Sequence, residues 1–143
     1  MSNLERALQI AVKAHADQKD KSGAAYIFHP VRVMTRCVTP QAKIAGLLHD
    51  VVEDTSITFE DLKAEGFSED VLAALRLLTH DPKVPYETYV EMVKTNVIAT
   101  EVKLADLEDN MDARRLNEFD EKAMSRFKKY LAAYRALTGK SEP

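Results

Sequence analysis

The sequence contains few of the residues that mark several common classes of protein. It has one cysteine among 143 residues, which excludes a disulfide framework and a zinc site built from several thiolates. Its four glycines are too few for a glycine-rich phosphate-binding loop. Histidines are also scarce, since the chain has only four. Any metal ion must therefore be held by histidines and carboxylates, and the positions of the histidines become informative.

An excess of positive charge and a long apolar segment are both missing. Lysine and arginine number 20 and aspartate and glutamate number 23, which gives a formal net charge of −3. This balance argues against general binding to nucleic-acid phosphates, which requires a clustered basic excess. No apolar run approaches the ~18–20 residues of a membrane span, and the polar residues 1–6 do not read as an export signal. We therefore expect a cytoplasmic protein that binds neither nucleic acid nor a membrane.

The apolar residues that are present follow a helical pattern. A chain of 143 residues, 45% of them hydrophobic, is long enough for one domain with its own core. Apolar residues recur at helical spacing, and no stretch alternates with period two for long enough to form a strand. We therefore expect an all-α, compact single-domain helical bundle over residues 1–143. Its C-terminal helix is predicted at about residues 121–138.

Start signals predict several helix boundaries. Ser2 is the expected cap of the first helix, and Pro30 suits a first helical position. Thr39 and Pro40 read as the cap and first residue of a third helix. Apolar residues surround this third helix almost completely, so we expect it to be central and buried and to run on into the acidic residues that follow it. A further strong helix is expected over residues 98–111.

An acidic cluster follows the central apolar helix. His49 and Asp50 are adjacent at its end, and Glu53 and Asp54 complete the cluster within six positions. An unpaired carboxylate in a buried place is costly, yet no lysine or arginine lies nearby in the sequence. A divalent cation would supply the missing positive charge, since ionised carboxylates and neutral imidazoles suit zinc, manganese or iron.

Two further candidate ligands lie elsewhere in the chain. His29 directly precedes Pro30, and Asp106 lies among apolar neighbours in the helix predicted over residues 98–111. An aspartate in such surroundings again requires a positive partner. Lys103 and Asn110 share one helix face with Asp106.

Each of these features also has an ordinary structural interpretation. The His-Asp pair can be a simple hydrogen bond, the Glu-Asp pair can be a solvated turn, and the histidine before proline can mark a helix start. Asp106 can form an ion pair with Lys103. It can equally pair with Arg114 or Arg115 beyond the helix end. The combination of features favours a metal site over these separate explanations.

Five sequence blocks occur in a recognisable order and spacing. They are His15-Ala16-Asp17-Gln18, Ser22-Gly23, Tyr26-Ile27-Phe28-His29-Pro30, Leu47-Leu48-His49-Asp50-Val51-Val52-Glu53-Asp54-Thr55 and Val102-Lys103-Leu104-Ala105-Asp106, the last continuing to Asn110. With these blocks the chain resembles the HD-domain metal-dependent phosphohydrolases. More narrowly, it resembles the small alarmone ((p)ppGpp) hydrolases and the hydrolase domain of the bifunctional (p)ppGpp synthetase/hydrolases. The resemblance spans about residues 4–116.

The resemblance implies an all-α bundle with the site at its centre and one divalent metal ion. The implied ligands are His29, His49, Asp50 and Asp106. Manganese is the typical metal of the family, with iron, zinc, cobalt, nickel and magnesium as alternatives. Glu53 and Asp54 would position or deprotonate the attacking water, whose pKa a metal lowers. Asn110 would contact the sugar-phosphate region of the substrate, and Lys21 and Lys103 are the nearest cations for a phosphate.

The implied activity is metal-dependent hydrolysis of a small nucleotide substrate, with removal of the 3′-pyrophosphate of (p)ppGpp as the leading reaction. The chain departs from the family pattern at Asp20, where an arginine usually stacks on the base; an aspartate there would repel phosphates. One alternative is therefore a phosphatase acting on another nucleotide, such as NADPH or a nucleoside monophosphate. Another is a non-catalytic nucleotide sensor, which would not need Glu53 and Asp54. No synthetase domain follows before Pro143, so degradation alone is expected.

Other residues that could carry chemistry are expected to be structural. His15 is expected to form a structural hydrogen bond, His80 to be solvated in a turn, and Cys37 to fill apolar space. The cations within residues 126–130 are expected on the solvated face of an amphipathic helix. Core and interface packing is expected for four tyrosines, namely Tyr86, Tyr89, Tyr130 and Tyr134.

Overall fold

Helix follows helix along residues 3–139, the part of the chain that the computed structural model describes. The α-helices are α1 (Leu4–Ala14), α2 (Phe28–Arg36), α3 (Pro40–Leu48), α4 (Val51–Asp54), α5 (Phe59–Ala64), α6 (Glu69–Leu78), α7 (Tyr86–Lys94), α8 (Val97–Asn110) and α9 (Glu121–Thr138). A short 3-10 turn (Ala113–Arg115) lies between α8 and α9. Apart from one isolated bridge between Lys19 and Ala25, residues 3–139 form no β-structure. The all-α prediction is therefore confirmed.

Side-chain caps begin several of the described helices, and that of α3 was predicted from the sequence. Thr39 Oγ1 accepts the N–H of Ala42, and Pro40 occupies the first turn of α3. Thr58 and Asp61 form a reciprocal capping box at the start of α5. Such caps satisfy N–H groups that have no partner inside the helix. Among the described helices, each is too short or too polar to span a bilayer.

Helices α1 and α2 start differently from the sequence prediction. Ser2 lies outside the described residues, and the cap of α1 is Asn3, whose side chain accepts the N–H of Arg6. Helix α2 begins at Phe28 instead of Pro30. Proline fits there because the N–H groups of the first helical turn have no intrahelical partner. As a result, the preceding histidine lies within the first turn of α2.

Helix α3 lies at the centre of the described fold. Ala45, Leu47 and Leu48 are fully buried, and α3 packs against α1, α2, α6 and α8. Each buried leucine contributes about 1.5–3 kcal/mol. The close approach of α2 requires glycine at position 46, because a Cβ atom there would lie 3.3 Å from Val33 Cγ1. The prediction of a central buried helix is confirmed, whereas a single domain over residues 1–143 stays a prediction.

The chain breaks its helical path directly after α3. The sequence favours one helix running on through residues 49–54, but α3 ends at Leu48 and the short helix α4 follows from Val51. His49 and Asp50 occupy the break, and Asp50 has φ −103° and ψ −1°. Because residues 45–48 at the end of α3 are all buried, this break lies inside the bundle, beside α2 and α8.

Candidate active site

The four predicted metal ligands come together from three regions of the fold. His29 lies in the first turn of α2, His49 and Asp50 lie at the break after α3, and Asp106 lies in α8. All four line one cleft with a volume of about 460 Å³. His29 and Asp106 are 77 positions apart in the sequence, so only the packing of α2 against α8 brings them together.

The ring nitrogens and carboxylate oxygens of this cluster face one another at short distances. His29 Nε2 lies 2.9 Å from Asp106 Oδ1 and 3.9 Å from Asp50 Oδ2. His49 Nε2 lies 2.9 Å from Asp50 Oδ2 and 3.5 Å from Asp106 Oδ1. Ligand atoms of His29, His49 and Asp50 all lie within 4.8 Å of one another. The structure therefore contains a possible His/Asp metal site.

Hydrogen bonds on the outer side of each imidazole orient the ring. His49 Nδ1 lies 2.6 Å from the carbonyl oxygen of Gly46. A carbonyl only accepts, so Nδ1 donates a proton to it and Nε2 is the ring nitrogen that faces the cluster. His29 Nδ1 lies 2.7 Å from Asp109 Oδ2, and this contact likewise leaves Nε2 facing the cluster. An outer hydrogen bond of this kind is typical of metal-binding histidines.

The cluster requires positive charge at its centre, and a divalent cation fits that requirement. His49 Nε2 is buried and has no hydrogen-bond partner among the described residues, although two carboxylate oxygens lie within 3.5 Å of it. Burial lowers the pKa of His49, but Asp50 and Asp106 together hold it well above its ordinary value. Two imidazoles and two carboxylates are a donor set that divalent transition metals accept. The residues present therefore fit a metal ion.

Lys103 and Asn110 both contact Asp106. Lys103 Nζ donates to Asp106 Oδ2 at 2.9 Å, and Asn110 Nδ2 donates to Asp106 Oδ1 at 3.1 Å. Burial alone would raise the pKa of Asp106, but Lys103 and the histidines hold it well below its ordinary value. The ion pair that the sequence allowed is thus formed by one carboxylate oxygen, while the other faces the histidines. Both Lys103 and Asn110 also line the cleft, and their contact with a substrate stays a prediction.

Glu53 and Asp54 lie on α4 at the wall of the same cleft. Glu53 Oε1 accepts the backbone N–H of His80 at 2.8 Å, which fixes the carboxylate and leaves its second oxygen available. Partial burial raises the pKa of Glu53, and the nearby Asp50 and Asp54 raise it further. A carboxylate with a raised pKa is better suited to accept a proton near neutral pH. The catalytic role of either residue stays a prediction.

Asp109 is a buried acid that the sequence reasoning left without a role. Its side chain is 0% exposed, and its Oδ2 accepts the hydrogen bond from His29 Nδ1. Arg32 Nε donates to Oδ1 at 2.7 Å, and Arg115 Nη2 donates to Oδ2 at 3.2 Å. The available signal was its position three residues after Asp106, which places both acids on one face of α8.

Removing the carboxylate of Asp109 is expected to destabilise the protein. Asp109→Ala should lower the free energy of unfolding by about 3 kcal/mol, the lower end for breaking a buried ion pair. The lower end applies because Arg32 and Arg115 are about 30% exposed and can regain water. Urea unfolding measures the change. The control is Glu108→Ala, next along α8 and 44% exposed, which should cost less than about 0.5 kcal/mol. Equal losses in the two variants would contradict the expectation.

Aromatic residues extend from the cluster toward α1. The Tyr26 hydroxyl donates to Asp50 Oδ2, and the Tyr26 ring lies 4.9 Å from the ring of His15. His15 Nδ1 lies 2.9 Å from Gln18 Oε1, so the structural hydrogen bond predicted for His15 is confirmed. Cys37 is 2% exposed, in agreement with its predicted role as an apolar filler.

Helix α9 forms a further wall of the cleft that holds the acidic cluster. Arg126, Lys129 and Tyr130 line this wall. The basic run is solvated as predicted, since Lys129 is exposed and Arg126 is half-buried. What the local pattern does not show is that both side chains also line the cleft, because α9 packs against α7 and α8. Lys21 belongs to the same group of cations, since burial and then the charges of Arg126 and Lys129 lower its pKa.

Tyr86 and Tyr89 of α7 lie between the two walls and also line the cleft. Lys129 Nζ lies 4.7 Å from the centre of the Tyr86 ring, and Lys103 Nζ lies 5.4 Å from that of Tyr89. Both distances are within the range of cation–π attraction. Tyr86 and Tyr130 thus belong to the cleft as well as to the packing that the sequence predicted. Tyr134 donates to Glu108 Oε1 outside the cleft.

His80 differs from its predicted surroundings, and Asp20 has partners that the sequence analysis did not name. His80 is half-buried instead of solvated: its Nε2 lies 2.7 Å from the Val84 carbonyl oxygen, and its ring packs on Tyr89 at 4.5 Å. The Asp20 carboxylate accepts the N–H groups of Ser22 and Ala24 in its own loop and lies 3.8 Å from Arg115 Nη1. Its repulsion of phosphates stays a prediction. The contacts with Arg115 and Tyr89 come from a following segment, whereas the hydrogen bonds to Ser22, Ala24 and Val84 lie within four positions.

Known proteins with similar sequences carry related names. Guanosine-3′,5′-bis(diphosphate) 3′-pyrophosphohydrolase MESH1 of Drosophila melanogaster is 33% identical over 123 residues, covering 77% of this chain and 68% of that protein. A protein named guanosine-3′,5′-bis(diphosphate) 3′-pyrophosphohydrolase from Aquifex aeolicus is 33% identical over 118 residues. The match covers 76% of this chain and 17% of that protein. A GTP pyrophosphokinase of Streptomyces coelicolor is 37% identical over 128 residues, and the match covers 80% of this chain and 15% of that protein. The chain thus spans about one sixth of the last two proteins.

The fold is also similar to that of a solved structure. This structure is described as a metazoan ortholog of SpoT that hydrolyses ppGpp and plays a role in starvation responses. The TM-score is 0.73 at 25% sequence identity, and the match covers 96% of this chain and 85% of the other. No family model matches the chain.

Proposed function

Because the chain belongs to the family of guanosine-3′,5′-bis(diphosphate) 3′-pyrophosphohydrolases, we propose that it hydrolyses (p)ppGpp and releases pyrophosphate from the 3′ position. The observation that carries the proposal is the cluster of His29, His49, Asp50 and Asp106 with Glu53 beside it in one cleft. The cluster supplies ligands for a metal, and Glu53 supplies a base. We propose a small nucleotide as the binding partner and the cytoplasm as the location. Binding to nucleic acid is not expected.

The metal would be held by the four clustered side chains, namely His29, His49, Asp50 and Asp106. When bound, a divalent cation lowers the pKa of a coordinated water and offsets the negative charge that develops on a phosphoryl group. We propose manganese, with iron, zinc, cobalt, nickel or magnesium as alternatives, since all accept mixed nitrogen and oxygen ligands to differing degrees. Tyr26 and Asp109 would keep Asp50 and His29 in position by the hydrogen bonds described above.

Glu53 is the proposed general base. Its Oε1 is held by the His80 N–H, so Oε2 is available to take a proton from the attacking water. The water oxygen bonds to the phosphorus nearest the ribose, and the bond from that phosphorus to the 3′ oxygen breaks. The 3′ oxygen leaves with a proton as the nucleotide 3′-hydroxyl. Asp54, one position along α4, would help to orient the water.

The two walls of the cleft suit a substrate with phosphates at two separate positions. One diphosphate would lie at the acidic cluster, where the metal offsets its charge. The second would lie near Lys21, Arg126 and Lys129, whose charges are close enough to influence one another. Asn110 and Lys103 line the cleft next to Asp106, and they are proposed to contact the sugar-phosphate region.

Position 20 favours one alternative substrate class. Asp20 is an acid engaged within its loop, so it offers no planar cation on which a guanine base can stack. A phosphatase acting on another nucleotide, such as NADPH or a nucleoside monophosphate, would use the same metal and the same base. Such a substrate would differ from ppGpp only in the chemical group that lies against the basic wall formed by Lys21, Arg126 and Lys129.

Incubation with ppGpp and Mn²⁺ tests the proposal directly. The purified protein is expected to release one pyrophosphate for each GDP formed, measured by a coupled pyrophosphate assay and by chromatography of the nucleotides. NADPH and nucleoside monophosphates, assayed in parallel for free phosphate, serve as the competing substrates. Intact ppGpp together with turnover of one of these nucleotides would select the alternative substrate class.

A further inference from the structure

We infer that Arg115 is a positioning residue, which fixes the cleft-lining loop of residues 18–25 against the buried pair of His29 and Asp109. The inference rests on the proposed function, since it concerns how one part of the substrate site is held relative to the metal ligands. It assigns the 3-10 turn after α8 a role in binding the substrate.

Three arginines contact Asp109, and Arg115 lies on a different structural element from the other two. Arg32 and Arg36 lie on α2, the helix that also carries His29. They therefore tie α2 to α8 and reach no further. Arg115 lies in the turn beyond α8 and donates from Nη2 to the backbone oxygen of Asp109 at 2.5 Å and to its Oδ2 at 3.2 Å.

The same arginine contacts the loop between α1 and α2 twice. Arg115 Nη1 lies 3.8 Å from Asp20 Oδ2, and the Arg115 backbone oxygen accepts the Ser22 hydroxyl at 2.6 Å. One contact uses the side chain and the other uses the main chain, so together they define both position and orientation. Arg115 is half-buried, and its side chain lines the cleft while contacting both Asp20 and Asp109.

The loop of residues 18–25 is organised around Asp20, the residue that the Arg115 side chain contacts. Asp20 Oδ1 accepts the N–H groups of Ser22 at 2.8 Å and Ala24 at 3.0 Å, and the Asp20 N–H donates to the Ala24 carbonyl at 2.8 Å. Lys21 lies between the two residues that contact Arg115. Its ammonium group reaches the basic wall from this loop, so its location depends on the loop being held.

Loss of these contacts should weaken substrate binding more than the chemical step. Arg115 forms no described contact with Glu53 or Asp106, and Asp109 retains Arg32 and Arg36 without it. Lys21, by contrast, loses the anchor of its loop. The effect should therefore appear in KM more than in kcat.

The test compares Arg115→Met with Arg114→Met. Arg114 is the neighbouring arginine; it is 88% exposed and pairs with Asp112 alone among the described residues. With ppGpp and Mn²⁺, Arg115→Met should raise KM roughly tenfold, as the loss of a charged hydrogen-bond partner would, and change kcat by less than about threefold. Arg114→Met should match the wild type. Amide hydrogen exchange in residues 18–25, measured without substrate, should be faster in Arg115→Met only.

Two conservative variants separate positioning from general destabilisation. Asp20→Asn keeps an oxygen for the loop N–H groups but removes the charge that faces Arg115, and should shift KM in the same direction by a smaller factor. Arg115→Lys should be intermediate, because one ammonium group does not span Asp20 and Asp109 as the guanidinium does. If Arg115→Met does not fold, these two variants decide the question.

Several outcomes would overturn the inference. They are a wild-type KM and wild-type loop exchange in Arg115→Met, equal effects in Arg114→Met, or a parallel loss of kcat and bound metal. A wild-type protein that releases no pyrophosphate from ppGpp would refute the proposed function instead. The exchange measurement would then still decide whether Arg115 fixes the loop.

Discussion

Replacing Glu53 by glutamine is expected to lower kcat by roughly 10²–10⁴-fold, the usual contribution of a general base, while the content of bound metal stays unchanged. The amide is nearly the same size, and its oxygen can still accept the His80 N–H that holds Oε1. The substitution thus preserves the position of the side chain and removes its ability to take a proton. Metal should remain because Glu53 lies outside the cluster formed by His29, His49, Asp50 and Asp106.

The measurement combines ppGpp turnover with elemental analysis of the same protein samples. Glu60→Gln on α5 is the matched control, because Glu60 is also an exposed acid near the start of a short helix and lies away from the cleft. Asp54→Asn separates the roles of the two acids of α4. If Asp54 only orients the water, this variant should lose less of kcat than Glu53→Gln does. Unchanged turnover in Glu53→Gln would refute its role as the base.

The candidate ligands could be predicted because their signals are local. His49 and Asp50 follow an apolar helix directly, and Asp106 stands among apolar neighbours, so each is conspicuous within a few residues. Thr39 and Pro40 mark the start of α3 in the same local way, and the structure confirms that start. Such patterns reflect the helical period and the cost of burying charge, both of which operate over short stretches of chain.

The support of the site could not be predicted, because it depends on contacts between distant segments. Asp109 lies between Glu108 and Asn110 and has the local appearance of a solvated acid. Only the approach of α2 buries it completely and supplies His29 as its partner, 80 positions away in sequence. Arg115 likewise meets its loop across 93 positions through the Ser22 hydroxyl.

The basic wall shows the same limit in another form. Residues 126–130 fit a solvated helix face equally well by their local pattern, and the packing of α9 decides that Arg126 and Lys129 line the cleft. The formal net charge of −3 therefore conceals a separation of charge across the cleft. Acids gather on α4 and α8 around the single lysine Lys103, and cations gather on α9 and at Lys21.

Replacing Asp106 is expected to abolish metal binding and, with it, hydrolysis. The wild type should contain about one divalent metal ion for each chain by elemental analysis. Asp106 Oδ1 lies within 3.5 Å of both His29 Nε2 and His49 Nε2, so Asp106→Ala removes the oxygen that faces both imidazoles. The loss of metal affinity should exceed the roughly 10–100-fold that follows removal of an outer hydrogen-bond partner.

The design must separate loss of a ligand from loss of the fold. Asp106→Ala leaves Lys103, which is 12% exposed, without its carboxylate partner, and a buried unpaired ammonium is destabilising. Asp106→Asn keeps the size of the side chain and an oxygen for Asn110 while removing the charge, so it should lose metal with a smaller drop in stability. Glu108→Ala, an exposed acid of the same helix, should retain metal. A wild-type protein that is fully stable yet binds no divalent ion, or an Asp106→Asn variant that retains full metal content, would contradict the assignment of this cluster as the metal site.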